Sequence, residues 1–191
     1  MVLDGHYTVK DQDAYFVGNK NHITDTVLRH YSFTPRFTYD YQLKNMPSKN
    51  IFGVDINYAD YSSDRKASVH VTQTKLRHES NQLSIGLYSQ NSVSLSDNIN
   101  LSGGLRFQRM LFNGGTVFHE DAEGDDDGAS LKNNTISQSD NRLGANIGVE
   151  YFIQPNLSIF GRAAQSFRIA NIDERIGADG TSMAVSYTHL T

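Results

Sequence analysis

Apolar and polar residues alternate along several segments of this chain with a period of two. In the clearest segment, Ile99, Leu101, Leu105 and Phe107 share one parity, and polar residues such as Arg106 occupy the other. A period of two places successive side chains on opposite faces of a β-strand, whereas an amphipathic helix repeats every 3.6 residues. The pattern therefore predicts an all-β chain whose strands each have one apolar face.

Further segments carry the same alternation. They lie within 1–20 and at 26–44, 52–58, 83–95, 143–151 and 157–164. Pro35 falls inside the segment 26–44 and cannot donate a ladder hydrogen bond, so we expect a bulge or a strand break there. The unbroken parity on both sides of Pro35 favours one strand over two. Ser89 and Asn91 interrupt the apolar parity of 83–95, where a bulge would switch the faces, and Phe160 falls on the polar parity of the last segment.

The links between these segments alternate between short and long. Tight turns are predicted at 46–48, 96–98 and 154–156, and long polar loops at about 59–78, 111–139 and from 170 onward. This alternation is typical of outer-membrane barrels, which have short periplasmic turns and long extracellular loops. The predicted fold is an antiparallel up-and-down meander, about seven strands of a larger transmembrane β-barrel. A soluble β-sandwich, in which two sheets pack their apolar faces together, is the alternative.

Composition excludes several other classes of protein. Hydrophobic residues make up 38% of the 191 residues, and no run approaches the ~20 apolar residues that a transmembrane helix needs. The mean hydropathy of -0.49 is compatible with barrel strands, because these need only one apolar face. The net charge of -4 argues against a nucleic-acid partner, which would select a basic face. The chain has no cysteine, so it forms neither a disulfide nor a thiolate metal site.

Ordered motifs add a family to this fold prediction. Residues 87–107 contain Tyr-x-Gln, a Ser-Asp-x turn and Leu-x-x-Gly-Leu-Arg-Phe, and this hairpin resembles one in TonB-dependent outer-membrane receptors, with Phe107 in place of the usual Tyr. Residues 154–160 and 166–174 resemble the segment of that family that reads Pro-Asn-Leu-Ser and then Gly-Phe-Arg-x-Pro. Ser166 and Ala170 replace its glycine and proline. The resemblance, to which 34–36 and 53–55 also contribute, spans about residues 25–180.

The resemblance implies a fold and a function. Receptors of this family close about 22 strands around a plug domain, import a scarce nutrient across the outer membrane of Gram-negative bacteria, and draw energy from TonB. The implied partners are outer-membrane lipid, the TonB complex through a plug region absent here, and an iron–siderophore complex as the default nutrient. Cobalamin, haem and glycans use similar barrels. The alternatives are a soluble β-sandwich module that binds carbohydrate, and a passive porin or an autotransporter barrel.

The two ends suggest that the chain is a fragment. The first residues lack the charged and apolar regions of a signal peptide. Residues 185–191 resemble a peptide translated from sequencing-adapter DNA, and a polar C-terminal tail is the alternative interpretation. We therefore expect residues 1–184 to be a partial barrel without plug or C-terminal strands, and 185–191 to be an artefact. An open sheet leaves backbone groups unpaired in lipid, so we expect no transport by this chain alone.

Parity assigns candidate residues to the two faces of the barrel wall. The residues expected to face the lumen are Asp55, Asn57, Arg106, Gln108, Arg142, Asn146, Glu150 and Arg162. The residues expected to face lipid are Phe52, Val54, Ile56, Ile99, Leu101, Leu105, Phe107, Leu143, Ile147, Val149 and Tyr151. In the functional interpretation, a lumen residue holds the plug or lines the substrate path. In the simpler interpretation, it is only solvated and paired, as the residues of any polar lumen must be.

Candidate chemistry is sparse elsewhere. The acidic segment 120–128 partly copies a calcium loop, but the position that requires a bidentate carboxylate is Asn134, and a solvated loop is the simpler interpretation. Of seven scattered histidines, His70 and His78 fall close enough in sequence to share one loop, where they would capture haem or a metal. No nucleophile–base arrangement or phosphate loop stands out. We therefore expect no enzyme, no cofactor and no metal site.

Overall fold

The computed structural model describes residues 1–16, 22–66, 74–119, 131–169 and 187–190. These residues form one antiparallel sheet, which confirms the predicted all-β meander. Its strands are β1 (Gly5–Phe16), β2 (His22–Phe33), β3 (Arg36–Leu43), β4 (Met46–Lys66), β5 (Thr74–Ser96), β6 (Ile99–His119), β7 (Leu131–Gln154), β8 (Leu157–Arg168) and β9 (Tyr187–Leu190). Within the described ranges, no helix is long and apolar enough to cross a bilayer.

The strands follow each other across the sheet in chain order. The path runs β1-β2-β4-β5-β6-β7-β8-β9, and β3 also pairs with β4. The described parts of β1 and β9 do not pair with each other, so the sheet is open. These residues contain no second sheet packed against the first, as a β-sandwich would require.

Pro35 separates β2 from β3, so the expectation of a single strand at 26–44 was wrong. The two strands nevertheless share one register against β4, because Phe33 pairs with Ile56 and Arg36 pairs with Gly53. The Pro35 carbonyl still accepts a hydrogen bond from the Val54 amide, at 3.1 Å. The interruption is local because proline removes a donor from the ladder and leaves the acceptor in place.

Two of the predicted tight turns lie where the sequence placed them, at 97–98 and 155–156, and the first does not. That turn is formed by Lys44 and Asn45, both with positive φ (49° and 67°), and Met46 already begins β4. Two adjacent residues with positive φ are typical of a type I′ hairpin turn. Proline cannot adopt positive φ, so Pro47 lies in the strand, paired with Gln42.

The strands are longer than the sequence predicted. The expected loops at 59–78 and 111–139 are partly strand, because β4 continues to Lys66, β5 begins at Thr74, β6 continues to His119 and β7 begins at Leu131. Ladder hydrogen bonds hold these ends together although apolar and polar residues no longer alternate regularly there, so the pattern that marks a strand fades before the strand ends. The far end of β6 still buries Met110 and Phe112, on the same side of the sheet as Gln108. The acidic segment 120–128 and His70 lie outside the described residues.

The bulge considered for 83–95 does not form near Ser89 or Asn91. The register of β5 against β6 shifts between Ser94 and Ser96, beside the turn. Ser89 and Asn91 keep the same face as their apolar neighbours and bond across the sheet instead. Asn50 donates to the Ser89 hydroxyl at 3.0 Å, and Asn91 donates to the Tyr41 hydroxyl at 2.6 Å.

Candidate functional site

The register of the sheet assigns each described strand residue to one of two faces, since directly paired residues point to the same side. One row links Val54, Leu87, Phe107 and Leu143. The adjacent row, on the opposite face, links Asp55, Gly86, Gln108 and Arg142. We call the side of the first row the apolar face and the side of the second row the polar face. The sheet therefore carries the two surfaces of a barrel wall.

Arg106 is the centre of a hydrogen-bond network on the polar face. Its Nη1 donates to the Asp55 carboxylate at 2.6 Å, and its Nε and Nη2 donate to Gln108 Oε1 at 3.0 and 2.7 Å. Gln108 in turn donates to the Ser84 hydroxyl. A Cβ at Gly86 would lie 2.7 Å from Arg106 Nη2, so the absence of a side chain there leaves the guanidinium room to cross β5.

The structure places the other predicted lumen residues on the same face. Asn146 donates to Gln90 at 3.4 Å, Glu150 accepts from Ser158 at 2.8 Å, and Arg142 lies 3.8 Å from Asp140. Arg106, Asn146 and Arg162 line one cavity of about 350 Å³, and Asn57 lines a second of about 530 Å³. The residues predicted from parity therefore lie on one surface of the sheet. Their roles in a lumen stay a prediction.

The predicted lipid-facing residues share the apolar face and leave it open. Leu105 is 62% exposed and Ile147 is 58% exposed, values that a soluble core would not allow. A row of tyrosines, Tyr7, Tyr31 and Tyr58, crosses this face with ring centroids 4.7 and 6.2 Å apart. Aromatic rows of this kind flank the apolar band of transmembrane barrels. Phe160 is the exception that parity predicted, since it pairs with Glu150 on the polar face and is 83% exposed.

Beyond the tyrosine row, the apolar face becomes charged. Lys66 lies 2.9 Å from Asp25, Arg77 lies 2.8 Å from Asp64, and Arg29 lies 3.4 Å from Asp60. The hydrogen bond and the attraction from Asp25 raise the pKa of Lys66, because both stabilise its charged form. Asp60, Asp64, Lys66 and Arg77 lie on strand ends that the sequence assigned to a loop, whereas Arg29 lies in the predicted strand segment 26–44.

Of the lining of the cavity of about 530 Å³, sequence reasoning found only Asn57. The lining also includes Lys10, His30, Tyr61 and Arg65 from β1, β2 and β4. Lys10 lies in a weakly patterned segment, while Tyr61 and Arg65 lie where a loop was predicted. The common parity of Tyr61 and Arg65 with Asp55 and Asn57 was the available signal, but it required β4 to extend beyond its last apolar residue.

His78 lies on the polar face, and the predicted pairing with His70 falls outside the described residues. It is buried, its Nδ1 lies 2.9 Å from the Thr116 hydroxyl, and its ring makes an edge contact with Tyr61 at 5.9 Å. The described residues contain no group of three or more histidine, cysteine, aspartate or glutamate side chains placed to hold a metal ion.

A single antiparallel sheet with an exposed apolar face and a hydrogen-bonded polar face is the architecture of a β-barrel wall. The family model described as "TonB dependent receptor-like, beta-barrel" matches residues 3–188, so the chain belongs to that family, whose members are transport receptors rather than enzymes. Membership of this family implies an outer-membrane protein. The resemblance stated from the motifs is thereby confirmed.

Individual relatives show how much of a receptor this chain represents. It is 29% identical over 87 residues to an uncharacterized TonB-dependent receptor of Haemophilus influenzae, a match that covers 46% of this chain and 23% of that protein. The ferric-catecholate import receptor Fiu of E. coli K12 superposes with a TM-score of 0.71 at 12% identity, over 87% of this chain and 30% of that one. The ferric yersiniabactin uptake receptor FyuA of Yersinia pestis gives 0.64 at 12% identity, over 98% and 28%. The chain therefore spans less than a third of the length of these relatives.

Proposed function

We propose that this chain is a wall segment of an outer-membrane receptor that imports an iron–siderophore complex into a Gram-negative bacterium with energy supplied through TonB. The observation that carries the proposal is the division of one sheet into an exposed apolar face and a polar face joined by hydrogen bonds. Lipid requires the first surface, and a water-filled substrate path requires the second. Family membership supports the same function.

The iron–siderophore complex is supported by the superposed structures. Both are uptake receptors for ferric complexes by name, and the chain shares their fold. Within the proposal, residues 1–184 form barrel wall, and the TonB contact belongs to the plug region of the complete receptor. The residues of the polar face line the path or contact the plug, and those of the apolar face contact lipid.

The test is growth of the source bacterium under iron limitation, with the complete gene deleted and then restored. Restoration is expected to rescue growth on a ferric siderophore only when TonB is present. Uptake that persists without TonB would instead identify the protein as a passive porin, since a porin also has an open polar lumen. Rescue by neither route would overturn the transport proposal.

A further inference from the structure

We propose that the polar face of β1, β2 and β4 holds a binding site for an anionic group of the imported ligand, with Lys10 and Arg65 as its charged contacts. The inference rests on the proposed function, since it assigns the charge class of the nutrient. We call the cavity of about 530 Å³ that these residues line the basic cavity. Its volume is that of a small-molecule pocket.

Most carboxylates in this half of the sheet lie on the apolar face, together with the cations Arg29, Lys66 and Arg77 that pair with three of them, whereas Asp55 lies on the polar face beside Arg106. The carboxylates on the charged part of the apolar face are Asp11, Asp13, Asp25, Asp60, Asp64 and Glu79. On the polar face, the same strands present Lys10 and Arg65, and the lining of the basic cavity contains no carboxylate. The alternation of side chains along each strand therefore keeps these carboxylates on the side of the sheet opposite the basic cavity.

Lys10 and Arg65 differ from Arg106, Arg29, Lys66 and Arg77 in lacking an internal counter-charge within the described residues. Arg106 is paired with Asp55, and Arg29, Lys66 and Arg77 are paired on the opposite face. Within the described residues, neither Lys10 nor Arg65 lies in an ion pair. A ligand anion in the basic cavity would gain attraction from both cations without displacing an existing partner.

Three buried polar atoms of the lining also lack hydrogen bonds in the described structure. They are Arg65 Nε, Thr24 Oγ1 and Gln82 Oε1. Buried polar groups are almost always paired, so three unpaired atoms around one cavity point to a polar ligand. An anionic oxygen would accept from Arg65 Nε, while the Thr24 hydroxyl and the Gln82 amide would orient the neutral polar groups beside it.

The test measures binding to the complete receptor in detergent by equilibrium dialysis. The cavity variant is Lys10→Gln with Arg65→Gln. The matched control is Arg29→Gln with Lys66→Gln, which removes the same charge from the opposite face of neighbouring strands. The probes are a trianionic ferric tris-catecholate, a neutral ferric tris-hydroxamate and iron-free citrate. Each single variant is measured as well, together with its unfolding midpoint, so that a folding defect is recognised.

We expect the cavity variant to bind tris-catecholate and citrate roughly tenfold or more weakly, the loss expected from a charge-assisted hydrogen bond. The control variant is expected to bind tris-catecholate and citrate as tightly as the unsubstituted receptor does. Added salt is expected to weaken the binding of the anionic probes only. Equal affinity of parent and cavity variant for citrate, or no binding of citrate, would overturn the anion site. If citrate behaves as expected but neither iron complex binds, the iron–siderophore function fails and the anion site stands.

Discussion

At the scale of single residues, the polar face depends on a few side chains that satisfy one another across strands. Arg106 uses its donors on Asp55 and Gln108, and its guanidinium lies 5.7 Å from the centre of the Tyr88 ring. Glycines make this possible, because Gly86 leaves room for the guanidinium and Gly53 leaves room for Tyr88. The network therefore depends on these two glycines, which leave space, as well as on its polar side chains.

Removing the charge of Asp55 should cost more than removing that of Asp60. Asp55 is the less exposed partner of a short pair with Arg106, while Asp60 faces Arg29 at 3.4 Å in a more exposed pair. We expect Asp55→Asn to lower the free energy of unfolding by about 1 kcal/mol and Asp60→Asn by less than about 0.5 kcal/mol. Urea unfolding of the complete receptor in micelles measures both, and equal losses would contradict the distinction.

A methyl group added at Gly53 should destabilise the sheet. The new Cβ would lie 2.6 Å from Tyr88 Cζ and 2.9 Å from the Pro35 carbonyl oxygen, and backbone cannot move aside as a side chain can. Gly53→Ala is expected to cost about 1–3 kcal/mol, the range for overpacking. Gly103→Ala is the control, because its nearest new contact is 3.7 Å. Equal urea midpoints for the two variants would refute the steric explanation.

At the scale of elements, turns are determined by local backbone conformation and strand ends by pairing with a neighbouring strand. The turn at Lys44 and Asn45 depends on positive φ, a local property that a proline two residues later obscured in the sequence. The ends of β4 to β7 depend on pairing with a neighbour, which no local pattern reports. Pro35 shows both effects, since it divides a strand locally while the register against β4 continues.

The turn offers a direct test of backbone preference. Asn45 has φ of 67°, a value that glycine adopts freely and a β-branched residue resists. Asn45→Gly is expected to leave stability unchanged or slightly raised, and Asn45→Val to lower it by about 1–2 kcal/mol. The refolding yield into lipid vesicles and the urea midpoint report the difference. A valine variant as stable as the glycine variant would exclude the type I′ turn.

At the scale of the whole molecule, the apolar part of the apolar face forms a band that ends at a row of tyrosines. Apolar residues predominate from the turns to the tyrosine row formed by Tyr7, Tyr31 and Tyr58, although Arg109 lies one row inside it, and ion pairs follow beyond the tyrosines. A soluble sheet gains nothing from such a boundary, whereas a sheet that crosses a bilayer and extends beyond it needs one. The height of the apolar band and the position of its edge are therefore both explained by the thickness of the surrounding lipid.

A charge placed inside the band should be far more costly than one placed beyond it. Ile147 and Thr135 lie on the same face of β7 and are both exposed. We expect Ile147→Arg to destabilise the inserted receptor by about 2–4 kcal/mol and Thr135→Arg by at most about 1 kcal/mol. The folded fraction in lipid vesicles across a urea series measures both. Similar costs at the two positions would contradict the assignment of the apolar face to lipid.

The sequence by itself determined the two faces and the family. Parity is a local property of a strand, so Leu105 and Arg106 could be assigned to opposite sides before any pairing was known. Tertiary structure decided the strand lengths, the register and the charge balance. Lys10 and Arg65 became neighbours of one cavity, and Arg106 became the partner of Asp55, only because the ladder fixed which residues share a row. A hydrogen-bonded ladder extends through polar sequence without an apolar face to mark it, and for that reason the basic cavity was invisible in the pattern that revealed the sheet.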